Sequence, residues 1–172
     1  MKSFVTAFVA LGLLAAVATT TTAQERNAAS KALGQDYHFY TGSSTTRHAL
    51  DHAAILNYYG SAETPVPAEV TTSHAKAIRQ NVEHAKKAYT ALKPAAKTPS
   101  AQEQLATIDK HHKAALASLD KLDKLGAKDG ADHAAISAAS AEVHKELQAA
   151  DEAAAKLQKE LKLEKLPAPA AK

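Results

Sequence analysis

Histidine is the residue type in this chain that points most directly to chemistry. The sequence has nine histidines, no cysteine and no tryptophan, and its one methionine is Met1. Imidazole is the commonest metal ligand in proteins and the one side chain that normally titrates near neutral pH. A histidine on the inward face of a helix needs a partner, so several of them on facing helices favour a shared metal site.

Six histidines lie on or beside helix faces that should point to a core. His48 and His52 are four residues apart, which places them on one face of a helix. His74 and His112 fall near the middle of the apolar stripes of two further helices. The predicted metal ligands are His48, His52, His74, His84, His112 and His144.

The depth of these residues in the bundle can be counted from the turns at one end of it. With a rise of about 1.5 Å per residue, four of them come out about 18–25 Å from that end. These four, one from each helix, are His48, His84, His112 and His144. The same count places His52 and His74 about 10–12 Å from the end. We therefore predict a four-histidine layer and a second level nearer the turns.

The residue types restrict the metal. Imidazole suits Zn, Cu(II), Ni and Fe, whereas the lack of cysteine argues against a soft Cu(I) site. Three or four histidines without a carboxylate match tetrahedral Zn or tetragonal Cu(II). Asp51 and Asp109 are candidates as further ligands or as acceptors that hold a ring tautomer. A bis-histidine haem is an alternative, but covalent attachment is excluded because C-x-x-C-H is absent.

Each histidine also has an interpretation without a metal. A lone core histidine is more often hydrogen-bonded than metal-bound, and His38, His84 and His111 are expected to be exposed. Under this alternative the chain is a non-catalytic interaction or structural protein of the cell envelope. Its partner is then another protein or a second copy of itself.

The elements that must position these residues are all helical. Alanine, lysine, glutamate, leucine and glutamine dominate and are good helix formers, and no run alternates with a strand period. Thr98 followed by Pro99, and Asp132, are predicted helix N-caps. The predicted helices cover residues 44–60, 68–93, 99–125 and 132–163. Because short loops join the last three, we predict an all-α, up-down-up-down four-helix bundle.

The predicted inward faces differ in strength between the helices. The first helix has a weak face, and its members are His48, His52, Ile55, Leu56 and Tyr59. The second helix is expected to bury Val70, His74, Ala77, Ile78, Asn81, Ala85, Ala88 and Leu92. In the third the face is Leu105, Ile108, His112, Ala115, Leu116 and Leu119. In the fourth it is Ile136, Ala139, Val143, Leu147, Ala150, Ala154, Leu157 and Leu161.

The first residues have the layout of a secretory signal peptide. Lys2 precedes an apolar stretch over residues 4–17, and residues 21–23 form a small-residue cleavage site. The apolar run is shorter than the span of about 20 residues that a bilayer requires. We expect residues 1–23 to be cleaved, leaving a periplasmic or extracellular protein without a membrane span.

The mature chain divides further by composition. Residues 24–43 are expected to pack on the bundle, 44–163 to form it, and 164–172 to be a disordered Pro/Ala tail. Without Lys2 the chain has 20 basic and 18 acidic side chains. No basic patch is interleaved with aromatic residues, so nucleic acid is not an expected partner.

Catalytic motifs are absent from the sequence. It has no glycine-rich phosphate loop, no nucleophile elbow and no His-Glu-x-x-His. In outline the chain resembles ferritin-like and haemerythrin-like bundles, but it has no Glu-x-x-His, the motif of the ferritin-like di-iron site. The leading prediction is an exported bundle that binds Zn or Cu(II) through core histidines for storage, sequestration or delivery.

One five-residue segment occurs twice. Residues 51–55 and residues 132–136 both read Asp-His-Ala-Ala-Ile. This repeat suggests duplication of a two-helix unit. Under that hypothesis His52 and His133 occupy equivalent positions.

Overall fold

Four helices and their connections make up the part of the chain that the computed structural model describes, which is residues 34–62, 65–127 and 132–163. We name them α1 (34–61), α2 (Ala68–Ala91), α3 (Pro99–Gly126) and α4 (His133–Glu160). No strand occurs in these ranges. The prediction of an all-α four-helix bundle is confirmed.

Two predicted segments lie outside the described residues, namely the signal peptide, 1–23, and the tail, 164–172. Contacts divide the chain into two units, residues 1–37 and residues 38–172. Of the first unit, the described residues 34–37 are helical. The packing reported below belongs to the second unit. Among the described residues, none of the helices is both long and apolar enough to cross a membrane.

The N-termini of α3 and α4 are capped by side chains. The Thr98 hydroxyl accepts a hydrogen bond from the Ala101 N–H at 3.1 Å, and Pro99 is the first residue of α3. The Asp132 carboxylate accepts from the Ala134 N–H at 2.9 Å. Both predicted caps are confirmed.

The C-terminal end of α4 is a Schellman motif. The Lys162 N–H donates to the Lys159 carbonyl, and the Leu163 N–H donates to the Gln158 carbonyl. This pattern requires a left-handed residue, and Lys162 has φ 53°. The helix therefore ends at Glu160, short of the predicted residue 163.

The predicted start of the first helix at residue 44 is wrong, because α1 already includes residues 34–43. Gly42 lies inside α1, against the ring of Tyr89 in α2. A Cβ atom at Gly42 would lie 2.9 Å from two carbons of that ring. Glycine is used here because it lets α1 and α2 approach closely, not because it breaks the helix.

Side-chain pairs define which helices are neighbours. Each helix contacts the next in sequence, and α1 also contacts α4. The pairs are His52–His74 for α1 and α2, Arg79–Asp120 for α2 and α3, Lys121–Glu142 for α3 and α4, and Arg47–Asp151 and Asn57–Ser137 for α1 and α4. Between the Arg47–Asp151 and Asn57–Ser137 pairs the residue number increases along α1 and decreases along α4. The two helices are therefore antiparallel, as in an up-down-up-down bundle.

The inward faces of α3 and α4 are largely those predicted, whereas those of α1 and α2 are rotated. The buried side chains of α1 are Phe39, Ser43, Thr46, Ala49, Ala53 and Leu56. Ile55 and Tyr59, which were predicted to be buried, are 38% and 44% exposed. On α2 the predicted His74 is half-buried, while Thr71, Ala75, Val82 and Tyr89 are buried instead. The small alanines of α1 face the core because they permit close helix packing.

Candidate metal centre and buried histidine

Two histidines meet between α1 and α2. The Nδ1 atoms of His52 and His74 lie 2.9 Å apart, and the ring centroids are 5.0 Å apart with the planes at 60°. Both side chains are half-buried. At this distance one ring donates its Nδ1–H and the other accepts with its lone pair, so the two rings cannot both be protonated there. The prediction that these two histidines share one level of the bundle is confirmed.

The environment of His74 favours neutral imidazole. Burial lowers the pKa of His74, and the neighbouring His52 lowers it further. A neutral ring has a free nitrogen lone pair, which is the form that binds a metal ion. The pair therefore offers metal-binding nitrogens at the edge of the bundle, where solvent reaches them.

The predicted four-histidine layer is not formed. His48 and His84 are exposed, His144 is half-buried, and of these four His112 alone is fully buried. Within the three described ranges, no group of three or more His, Asp or Glu side chains is placed to hold one metal ion. The layer does not form because Ala49 and Ala53, rather than the histidines, occupy the core positions of α1. His48 therefore faces outward.

The two predicted carboxylate helpers also lie elsewhere. Asp51 is exposed on α1. The Asp109 carboxylate forms an ion pair with the Lys113 ammonium at 2.6 Å, one helical turn along α3.

His112 occupies a different environment from the pair, inside the core. It is fully buried, and its Nε2 lies 3.1 Å from the Thr46 hydroxyl. That hydroxyl donates its own proton to the Gly42 carbonyl at 2.9 Å. The Thr46 oxygen must therefore accept from Nε2–H, which assigns the tautomer and leaves the lone pair on Nδ1. No partner for Nδ1 is found among the described residues.

Tyr89 packs beside this imidazole. The two ring centroids are 5.9 Å apart, with the planes tilted by 37°. The Tyr89 hydroxyl is also buried, and the side chains of Ser43 and Thr46 on α1 lie close to it. Burial raises the pKa of Tyr89, and the negative charge of Asp151 adds to this, so the phenol stays protonated.

Burial also dominates the titration of His112. It lowers the pKa of this residue to about 4, against the opposing effect of Asp109 and with small further lowering by Lys86 and His111. His112 is therefore neutral at physiological pH. A fully buried, neutral imidazole with one unused lone pair is the most unusual polar group of this core.

Two other histidines have protein partners. His111 Nδ1 lies 2.7 Å from a carboxylate oxygen of Glu146 on α4. His133, the first residue of α4, donates from Nδ1 to the Gly60 carbonyl at 3.2 Å. His52, by contrast, lies in the middle of α1, so the equivalence of His52 and His133 suggested by the repeated segment is wrong.

Sequence reasoning missed Thr46 and Tyr89. Tyr89 was detectable, because it lies four residues after Ala85 and seven after Val82, both of which are buried on the same helix. Thr46 had no comparable signal, since it lies in the polar stretch of residues 41–47. Its hydroxyl donates to the Gly42 carbonyl, which lies in the part of α1 before residue 44.

Comparisons of the chain with protein-family models, with curated proteins and with solved structures found no match.

Proposed function

We propose that this protein binds one transition metal ion, Zn(II) or Cu(II), through His52 and His74, and that it is exported and stores, sequesters or delivers that ion. The observation that carries the proposal is the 2.9 Å contact between the two Nδ1 atoms. The two rings come from different helices, and once the proton between them moves to Nε2 of the donor ring, both Nδ1 lone pairs are available to one ion.

The spacing of the donors suits an ion placed beside both rings. Two nitrogens that each lie about 2.0–2.1 Å from one ion are about 2.9 Å apart at a right angle and about 3.3 Å apart at the tetrahedral angle. The first arrangement is that of neighbouring ligands on tetragonal Cu(II), and the second is that of Zn(II). A side-chain shift of a few tenths of an ångström separates the two arrangements, so the pair accommodates either ion.

Two protein ligands make an open site. Structural zinc sites are closed by four protein ligands, whereas open positions allow the ion to exchange. The remaining positions at this pair would be filled by water or by a ligand from a partner. An exchangeable ion agrees with buffering or delivery better than with a structural role.

Calorimetric titration of the metal-free protein with CuCl₂ and with ZnCl₂ at pH 7 tests the proposal. We expect one ion per chain, and at least a tenfold loss of affinity in His74→Ala. His84→Ala is the matched control, because it removes an exposed histidine of the same helix and should bind normally. Equal uptake by the wild type and the His52→Ala/His74→Ala double variant would exclude this site.

Electron paramagnetic resonance identifies the donors when Cu(II) binds. Nitrogen hyperfine coupling from two imidazoles is expected in the wild type and from fewer in His74→Ala. The export part of the proposal has its own measurement, which is the N-terminal sequence of the protein recovered from its native host. A chain that begins near Gln24 supports cleavage of the predicted signal peptide.

A metal-free interaction protein is the second candidate, and two observations favour it. Several histidines already have protein partners, among them His112 with Thr46 and His111 with Glu146. The exposed Tyr58 and Tyr59, whose ring centroids are 6.1 Å apart, offer an aromatic surface on α1. Analytical ultracentrifugation in the presence of a chelator tests for a homodimer, which Tyr58→Ser should weaken if this surface forms it.

The haem alternative has less support. Trans axial nitrogens are separated by two metal–ligand bonds of about 2.0 Å each, so by about 4 Å. The Nδ1 atoms of His52 and His74 are 2.9 Å apart with the rings already in contact. Haem binding between these rings would require them to move apart, and titration with haemin checks for a Soret band.

A further inference from the structure

The pair formed by His52 and His74 supplies only part of a zinc coordination shell. Their Nδ1 atoms lie 2.9 Å apart, and within the described ranges no group of three or more His, Asp or Glu side chains is placed to hold one ion. A closed zinc site in a protein has four ligands at the corners of a tetrahedron. One chain therefore provides two of the four and leaves two positions for ligands from outside the chain.

The surface at the boundary between α1 and α2 differs in residue type from the other helix boundaries. Ion pairs join α1 to α4, α2 to α3 and α3 to α4. Beside the histidine pair, six positions within two helical turns of it contain no Asp, Glu, Lys or Arg. We call them the boundary strip, and they are His48, Ile55 and Tyr59 of α1 and Val70, Ser73 and Ala77 of α2. Two members of the strip, Val70 and Ala77, are half-buried and the other four are exposed.

The boundary strip suits contact with the same surface of a second copy. Ile55 and Tyr59 are 38% and 44% exposed, so apolar area at these positions is in contact with water. Ser73 and Ala77 have small side chains, which let a helix of another molecule come close to His74. Identical surfaces repel when they bear like charges, and the strip has none of the four charged residue types. Because two large exposed apolar side chains are few for a stable interface, this contact alone should not hold a dimer.

The number of ligands in one chain matches the symmetry of a dimer. Identical chains most often associate about a two-fold axis, and each residue of such an interface is contributed twice. An ion on that axis receives His52 and His74 from both copies, which makes four imidazole nitrogens. A tetrahedron has a two-fold axis that exchanges one pair of its ligands with the other pair. The two nitrogens of one copy would be about 3.3 Å apart in this arrangement, a few tenths of an ångström more than the distance observed.

We propose that two copies of the chain share one Zn(II) through His52 and His74 of each copy, with the two boundary strips facing each other. This inference rests on the proposed function and names the partner that completes the site. When zinc is scarce, the shared ion is enclosed by four protein ligands, as in closed zinc sites. When zinc is in excess, each chain takes its own ion and the dimer separates. Storage and release of the ion therefore follow the zinc concentration through the state of association.

Sedimentation velocity of the metal-free protein with added ZnCl₂ tests the shared site. We expect a monomer in chelator, a dimer at half an equivalent of zinc, and a monomer again in a large excess of zinc. X-ray absorption at the zinc edge should report four imidazole ligands per ion at half an equivalent and fewer in excess. A dimer that persists in chelator would overturn the proposal, because the ion would then not be what joins the two copies.

A charge added to the boundary strip separates dimerisation from metal binding. Tyr59→Lys carries a positive charge from each copy into the interface, and it should weaken the dimer at half an equivalent of zinc at least tenfold. Because Tyr59 is not a proposed ligand, the variant should still take up one ion per chain in excess zinc. Ala54→Lys is the matched control, since it adds the same charge at an exposed position of α1 about 200° around the helix from His52. It should dimerise like the wild type.

The possible outcomes distinguish failure of this inference from failure of the proposed function. Zinc uptake that requires His74, in a chain that stays monomeric at half an equivalent, would overturn the shared site and leave the single-chain site standing. A protein that takes up no zinc would overturn both. A dimer that is weakened equally by Tyr59→Lys and Ala54→Lys would contradict the boundary strip as the interface.

Discussion

The Thr46 hydroxyl lies 3.1 Å from Nε2 of His112, and this hydrogen bond joins α1 to α3 through the interior of the bundle. Both side chains are fully buried. Since Thr46 also donates to the Gly42 carbonyl, the bond assigns one tautomer to a neutral ring. Protonation of that ring would put a charge in an apolar core, so low pH should reduce the free energy of unfolding.

The stability of the protein should therefore fall as the pH is lowered toward 4. Burial lowers the pKa of His112 to about 4 in the folded state, whereas an unfolded chain has the ordinary histidine value of about 6.5. The unfolded state then binds the proton first, so this stabilisation is complete above pH 6.5 and is lost between pH 6.5 and 4. We expect a loss of about 2–3 kcal/mol from this residue by pH 4.5.

Urea unfolding at pH 7 and at pH 4.5 measures this effect. His112→Gln should lose less free energy of unfolding over the same interval, because it has no titrating group at this position. His84→Gln should keep the full wild-type dependence. A wild type and a His112→Gln variant with the same pH dependence would show that the buried imidazole does not control acid stability.

The contact between His52 and His74 should be measurable as a coupling energy. A net hydrogen bond contributes about 0.5–1.5 kcal/mol, so a double-mutant cycle of His52→Ala and His74→Ala in chelator should give a value in this range. With Cu(II) present the coupling should increase, since the ion binds the folded state only when both rings are there. A cycle of His52→Ala with His84→Ala should give no coupling under either condition.

Replacement of Gly42 by alanine should destabilise the bundle. The new methyl group would lie 2.9 Å from the Tyr89 ring, and overpacking of this kind costs about 1–3 kcal/mol. This exceeds the gain of about 1 kcal/mol that alanine has over glycine within a helix. In a Tyr89→Ala background the clash is gone, so the same substitution should there become stabilising. Thermal unfolding of the wild type, the two single variants and the double variant measures the effect of Gly42→Ala in both backgrounds.

Glycine at position 162 should instead stabilise the protein. Lys162 is exposed and has φ 53°, and a residue other than glycine in the left-handed region costs roughly 1–2 kcal/mol. We expect Lys162→Gly to gain on the order of 1 kcal/mol. Lys159→Gly, in the regular last turn of α4, should lose about as much. If both glycines destabilise, the left-handed C-cap is not a strained position.

The parts of the fold that were predictable from sequence are those where large apolar side chains mark the core. Leucine and isoleucine at helical spacing placed the inward faces of α3 and α4, with Leu119 and Leu147 both fully buried. Capping chemistry placed the starts of these helices at Thr98 and Asp132. In α1 the marker fails, because Tyr58 and Tyr59 are exposed whereas Ala49 and Ala53 are buried.

The wrong inward face predicted for α1 also explains why the four-histidine layer is not formed. His48 was placed in the core by its spacing from Ile55 and Tyr59, which are both exposed. The rotation of α1 moved His48 outward and brought His52 to the boundary with α2, where it meets His74. Depth along the helices could be counted from sequence, but rotation about the helix axis could not, since it depends on which small residues pack most closely.

The alanine-lined inner face of α1 has a consequence for how the bundle opens. The large apolar side chains that α1 buries are Phe39 and Leu56, whereas α4 buries Ile136, Val143, Leu147 and Leu157. The amide hydrogens of α1 should therefore exchange with deuterium faster than those of α4, because fewer large apolar contacts hold α1 in place. Because His52 belongs to α1, a metal ion bound by His52 and His74 should slow this exchange along α1.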